Sequence, residues 1–214
     1  AGIAAMTGDG NTIIGYSSGQ AMLGGGYNTL LGYATGYDLT TGTSNVMLGT
    51  AAGFNATTAK ENIIIGQDAC GLGVLANASS TQGMYNVVVG SGAGYDLTSG
   101  ESNILLGKDA GANFTSGTGN ICIGLSAGKL NVAGSDNVLI GREAGQAMDD
   151  TVSDYNIAIG ANALESEASG ADYCIAIGQD ALALQNADVK NTVIGGLAGD
   201  AIEGGDENTL VGYT

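Results

Sequence analysis

Two groups of carboxylates are the residues best suited to chemistry: Asp149, Asp150 and Asp154, and Glu165 with Glu167. Paired carboxylates are the machinery of glycoside hydrolysis, one as acid and one as base or nucleophile. Both groups lie in short segments that interrupt a regular pattern. Neighbouring acids on a loop are more often solvated surface charge, so no catalysis is expected of them. Other chemistry is excluded by composition. His is absent, which removes the commonest general base, the usual zinc ligand and the triads built on imidazole. Trp is absent as well, so no indole platform exists for stacking sugars or bases.

Three cysteines, Cys70, Cys122 and Cys174, occupy three different positions of the pattern and form no C-x-x-C. They fall three repeats apart, so successive thiols sit roughly 14 Å from each other along a stack of strands, beyond disulfide reach. All three are expected to be free, mostly buried thiols. Gly8-Asp9-Gly10-Asn11 is a lone fragment of a calcium β-roll motif and does not recur. Asn55, Asn77 and Asn113 each open an Asn-x-Ser/Thr triplet, as chance allows in a chain this rich in Asn and Thr. No cofactor or metal is expected.

The elements that position these residues come from a repeat. Twelve times the chain writes Asn, three apolar or Thr residues, then Gly. The Asn residues are Asn11, Asn28, Asn45, Asn62, Asn86, Asn103, Asn120, Asn137, Asn156, Asn191 and Asn208, with Cys174 in the remaining place. Eight of the eleven spacings are 17, and the others are 24, 19 and 18. A short fixed period means a stacked array of coils, each burying its apolar side against the next. The reading is all-β: a β-solenoid or β-roll of about twelve 17-residue coils, one unit over residues 1–214, cut from a longer fibre chain.

Within a unit the residue after Asn is always Thr, Val or Ile, a β-branched column that favours strand. The third residue after Asn is always Ile, Leu or Val. Side chains alternate in a strand, so these two columns share one face, expected to be the inside. The residue between them is then expected to point outward: Ile13, Leu30, Met47, Ile64, Val88, Leu105, Cys122, Leu139, Val193 and Leu210, with Ala158 and Ala176 in two units. A strand apolar on both faces is covered on both faces. That middle column is therefore expected to be the seam between copies of the chain. The following Gly marks a turn at positive φ, and the small residue three places later marks close approach of two segments. The Asn column is expected to form a hydrogen-bonded ladder from coil to coil, weakened at Cys174.

Three insertions break the period. The largest lies within Gly71–Tyr85, and Leu75, Asn77, Ser79, Thr81 and Tyr85 are its candidate recognition residues. Seven of the nine tyrosines recur beside the Asn-Gly unit or the Ala-Gly step, as corner packing or as sugar-binding surface. The net charge is −16. Such a surface repels nucleic acid and anionic headgroups. No run of about 20 apolar residues exists to span a membrane. Ice binding would want a regular Thr face, and Thr follows Asn in only four units.

Two units display the pattern most fully, Asn28-Thr-Leu-Leu-Gly-Tyr-Ala-Thr-Gly-Tyr37 and Asn103-Ile-Leu-Leu-Gly-Lys-Asp-Ala-Gly-Ala112. They resemble the Asn-Thr-x-Ile-Gly-x-x-Ala-Gly repeat of bacteriophage tail fibres and related bacterial surface proteins. More distantly, they resemble the β-roll heads of trimeric autotransporter adhesins. The resemblance covers the whole chain. It implies a homotrimeric rod on a virion tail or extracellular surface, whose partners are copies of itself and a host-surface glycan or protein receptor. The alternatives are a bacterial filament or adhesin of the same architecture, and a glycan hydrolase acting through the carboxylates above.

Overall fold

The computed structural model describes residues 7–75, 83–148, 153–167, 172–185, 190–200, 202, 205 and 207–213. It is a parallel β-solenoid in which each Asn-to-Asn unit makes one coil. Twelve three-residue strands, one per unit, form a single sheet. They are β1 (Thr12–Ile14), β2 (Thr29–Leu31), β3 (Val46–Leu48), β4 (Ile63–Ile65), β5 (Val87–Val89), β6 (Ile104–Leu106), β7 (Ile121–Ile123), β8 (Val138–Ile140), β9 (Ile157–Ile159), β11 (Ile175–Ile177), β13 (Thr192–Ile194) and β14 (Thr209–Val211). The short pair β10 (Ser166–Glu167) and β12 (Leu184–Gln185) forms a second, two-stranded sheet.

Every pairing in the large sheet is parallel and places like columns side by side, as Ile104 beside Ile121 and Leu106 beside Ile123. The insertions do not shift this register. Ile63 pairs with Val87 across the longest insertion, and Val138 with Ile157 across the next. The strands on either side thus stay in register, because a one-residue slip would turn every strand side chain to the wrong face.

The middle column of the strands points into the coil. Leu30, Met47, Ile64, Val88, Leu105, Cys122, Leu139, Ala158, Ala176 and Val193 have no exposed surface within the single chain. Ile13 and Leu210, in the first and last coils, pack against the same core and are half-buried. This corrects the expected orientation. The ten residues read as an interchain seam, Ile13 through Leu210, are the inner core, and the flanking columns face out. Parity is the reason. Asn and the residue two places later lie on one face of an extended segment, and the Asn side chains are buried. A buried Asn ladder therefore commits the middle column to the interior.

Opposite the sheet, the core is closed by the small column (Ala52, Ala69, Ala93, Ala110, Ala127 and their equivalents) and by larger residues such as Leu39, Leu97, Phe114 and Met148. The Gly after that small column abuts the middle column. A Cβ at Gly145 would lie 2.7 Å from Leu139 Cδ2, and one at Gly111 would lie 2.9 Å from Leu105 Cδ2. In two coils a buried leucine, Leu164 or Leu182, takes the place of this Gly, at φ +50° and +53°. In those same coils the middle residue shrinks to Ala158 or Ala176. The volume moved from one wall of the coil to the other, as close packing requires.

The backbone reverses direction through left-handed residues at fixed columns. Ser44, Glu61 and Ser102 precede the Asn at φ 56–59°. Each points its N–H back to the preceding coil, as Ser44 N to Gly26 O at 3.0 Å and Glu61 N to Thr43 O at 3.0 Å. The strand residues beside them donate to the following coil, as Val46 N to Asn62 O at 2.9 Å. The strand-ending Gly has a separate need. Gly107 sits at φ +136°, and a Cβ there would collide with the carbonyl oxygen of Gly124. That backbone region is essentially closed to other residues.

Leucine and alanine should be exchangeable only as a pair. Ala176→Leu and Leu182→Gly are each expected to destabilise by about 1–3 kcal/mol through overpacking or a void. The double variant is expected to recover at least ~1 kcal/mol relative to the sum. Additive losses in chemical denaturation would refute the exchange.

Candidate interaction surface

The outward face of the large sheet carries the residues one and three places after each Asn. Four of them are Thr, at positions 12, 29, 192 and 209, and the other twenty are Val, Ile or Leu. None is charged, in a chain with 21 acidic and five basic residues. Individual members are open to solvent: Ile14 58 %, Leu31 46 %, Ile63 40 % and Ile194 39 %. Twelve strands at ~4.8 Å spacing make the stripe roughly 53 Å long. Continuous apolar surface on this scale marks an interaction site.

Tyrosines border both long edges of the stripe. Tyr27, Tyr85, Tyr155 and Tyr173 precede the Asn column and are exposed, all near φ +60°. Tyr16, Tyr33 and Tyr213 follow the Gly column and are also exposed. Successive coils stack their rings, Tyr16 on Tyr33 at 5.6 Å and Tyr155 on Tyr173 at 5.0 Å between centroids. An apolar strip rimmed by aromatic rings has the composition of a protein interface.

The Asn column below this surface forms the ladder. The Asn103 Oδ1 accepts both the backbone N–H of Asn120 at 2.9 Å and its side-chain Nδ2 at 3.1 Å. The Asn103 Nδ2 donates to Asn86 Oδ1 at 3.1 Å and to Gly117 O at 2.8 Å. All four bonding positions of the amide are used. The same rungs join Asn11, Asn28, Asn45, Asn62, Asn86, Asn103, Asn120 and Asn137. At Cys174 the backbone N–H still donates to Asn156 Oδ1 at 2.9 Å. A thiol cannot return the two bonds to the next coil, and the buried Nδ2 of Asn191 has no partner among the described residues. Asn208 N donates to Asn191 Oδ1 at 2.9 Å, so the ladder resumes beyond that gap.

A second ladder, not anticipated from the sequence, runs two places before the Asn. Thr118 N donates to Ser135 Oγ at 3.2 Å, Ser135 N to Asp154 Oδ1 at 2.7 Å, and Asp154 N to Asp172 Oδ1 at 2.9 Å. Its only sequence signal is short hydroxyl and carboxylate side chains at one column. It engages Asp154, one of the acids suited to hydrolysis, with a backbone donor. Asp149 and Asp150 lie outside the described residues. Glu165 contributes its carbonyl to Ala147 N at 2.8 Å, and Glu167 ends β10.

Among the candidate recognition residues, Leu75 is fully buried in the core and so is not available to a receptor. Tyr85 is half-exposed, but it belongs to the repeating rim rather than to the insertion. Asn77, Ser79 and Thr81 lie outside the described residues. The three cysteines are free and buried. Burial pushes the Cys70 thiol up to about 12 and raises that of Cys122 further. Among the described residues no helix is long and apolar enough to cross a membrane. Comparison with protein-family models, with curated proteins and with solved structures gave no match.

Restoring the missing rung should stabilise the chain. Cys174→Asn is expected to raise stability by about 1–3 kcal/mol, and Asn103→Ala to lower it by at least ~2 kcal/mol, because buried donors and acceptors are respectively satisfied and orphaned. Equal urea midpoints for Cys174→Asn and the parent chain would show that the ladder carries no such weight. Cys70 and Cys122 are expected to resist maleimide at pH 8 until the chain is unfolded, since thiolate is the reactive form. Rapid labelling of the folded protein would contradict their burial.

Proposed function

We propose that this chain is a structural fibre protein: the shaft or receptor-binding part of a phage tail fibre, working as a homotrimer in host-surface attachment. Its place is the virion tail or an extracellular surface. The observation that carries this reading is the outward stripe of Val, Ile and Leu along the whole large sheet. A stripe of this kind on a strongly anionic chain is best covered by a copy of itself, whose matching face is equally uncharged and repeats at the same spacing. A rod of uniform cross-section grows one contact into a seam of many, so modest side chains suffice. The number three comes from the repeat's resemblance to phage fibres, because the stripe alone fits two copies face to face or three around an axis.

The reading assigns no catalysis and no cofactor. Support comes from the second ladder, which gives Asp154 and Asp172 backbone-binding work in neighbouring coils. A bacterial extracellular filament or adhesin of the same architecture is the alternative, and the stripe favours both equally.

Light scattering on the purified protein is expected to give three times the 21.0 kDa chain mass. Ile104→Asp with Leu106→Asp, both on the outward face, is expected to yield a folded monomer. Leu105→Asp, between them, is expected to prevent folding altogether. A monodisperse monomer for the parent chain would overturn the assembly.

A further inference from the structure

One face of the rod away from the stripe breaks the repeat in a way that makes a cleft. Two columns matter, the residues two and five places after the strand-ending Gly. In the first, Asp68, Asp109, Ser126, Glu143, Asn162 and Asp180 all carry a side chain, but Gly92 does not. In the second, Tyr95 and Lys129 stand either side of the small Ala112. Gly92 and Ala112 fall in adjacent coils, so the two omissions merge. The result is a cleft of about 370 Å³ with Gly92 and Ala112 as floor. Its walls are Asp68 and Asp109 along one column, Tyr95 and Lys129 along the other. Each pair of walls is two coils apart, roughly 10 Å at ~4.8 Å per strand.

We propose that this cleft binds a neutral sugar residue of a surface glycan. The chemistry of the walls selects that class. Tyr95 is part-exposed and offers a ring to the C–H face of a pyranose. The side-chain amide of Asn113 lies at the cleft with no partner among the described residues, so it is free to donate and accept. Asp68 and Asp109 supply acceptors for hydroxyl groups. A cationic ligand is disfavoured, because Lys129 lies 3.7 Å and Lys108 4.0 Å from the Asp109 carboxylate and already neutralise it. An anionic sugar meets the Asp68 carboxylate, which has no lysine partner among the described residues, and a net charge of −16 around it. A polyol without charge fits all four walls. The volume is in the ~300–1,000 Å³ range of small-ligand pockets.

No residue of the outward stripe lines the cleft, so association along the stripe leaves it open. The inference deepens the attachment reading and rests on it for the presence of a glycan surface.

The fold supplies its own control. Asn162 sits in the Gly92 column at φ +56° and donates to Asp180 one coil on, at 2.7 Å. Gly92→Asn should reproduce that rung with Asp109 at a φ of +65° already left-handed; its Cβ would lie 2.7 Å from Asp109 Oδ1, so the carboxylate turns aside, with the backbone kept, as the amide fills the notch. The measurement is binding of the intact protein to immobilised neutral oligosaccharides ending in glucose, galactose, mannose or N-acetylglucosamine, alongside choline and sialyllactose. At least one neutral probe should be retained. Gly92→Asn and Tyr95→Ala should each weaken it about tenfold or more, while Tyr95→Phe keeps it, since the ring supplies the contact. No retention of any neutral probe, equal retention by Gly92→Asn, or preference for choline or sialyllactose would overturn the proposal. Light scattering on the same samples separates the two readings. Binding by a monomer would remove the trimer and keep the cleft, and a trimer without binding would do the reverse.

Discussion

The buried amide of the Asn column is the interaction on which the rest of the structure depends. A primary amide has two donors and two acceptor positions, and in this stack each is used in the direction the coil needs. The Asn103 Oδ1 takes the backbone and side-chain donors of the next coil, and its Nδ2 reaches the previous Asn and the carbonyl of Gly117. No other side chain does this at the same length. Asp would bury a charge and lose both donors, and Gln would carry the amide one carbon too far. Because Asn103 bonds to residues 17 before and 17 after it, the ladder also sets the period. A unit of another length still returns to the same rung, as Asn86 bonds to Asn62 across 24 residues with the strands beside them in register.

Parity follows from the same bond. Once the Asn points inward, the residue two places on must follow it, and the residues one and three places on must face out. The strand itself gives no help, since all three of its columns are apolar in most coils. The sequence therefore made the architecture plain: twelve units, parallel strands, the turn glycines and the ladder all follow from column composition. It left the facing of the strands undecided so long as the ladder and the strand columns were weighed separately. Leu105 looks no more like a core residue than Ile104 or Leu106 when the three are read alone. Linking Asn103 to Leu105 decides among them.

The candidate sites were legible to different degrees for physical reasons. Column identity shows where the pattern is kept, so the stripe, though assigned to the wrong column, was visible as an excess of apolar residues. A cleft arises where two columns depart together, and Gly92 and Ala112 are 20 residues apart in the chain. Each alone is an unremarkable small residue in a sequence with 39 glycines. Only the coil geometry brings them side by side. The second ladder was hidden for the opposite reason: Ser135, Asp154 and Asp172 share a function without sharing an identity. Carboxylates at 154 and 172 read as surface charge or as chemistry until their backbone partners are known.

Local strain and the uncovered outer stripe are two sides of one design. Each coil holds several residues at positive φ, among them bulky Tyr27, Leu164 and Leu182, and such conformations cost of order 1–2 kcal/mol apiece. A globular domain tolerates few of them. A solenoid repeats them because the same turn recurs at the same column, and because each is clamped by backbone bonds to a neighbouring coil, as at Ser44 and Glu61. The core that opposes this strain is only a few side chains thick per coil. Burying the outer stripe against another copy would add two branched side chains per coil at no further cost in backbone order, since the strands that present them are already fixed by the ladder. The interior thus supplies the shape of the rod, and the outer face is where further stability can be gained.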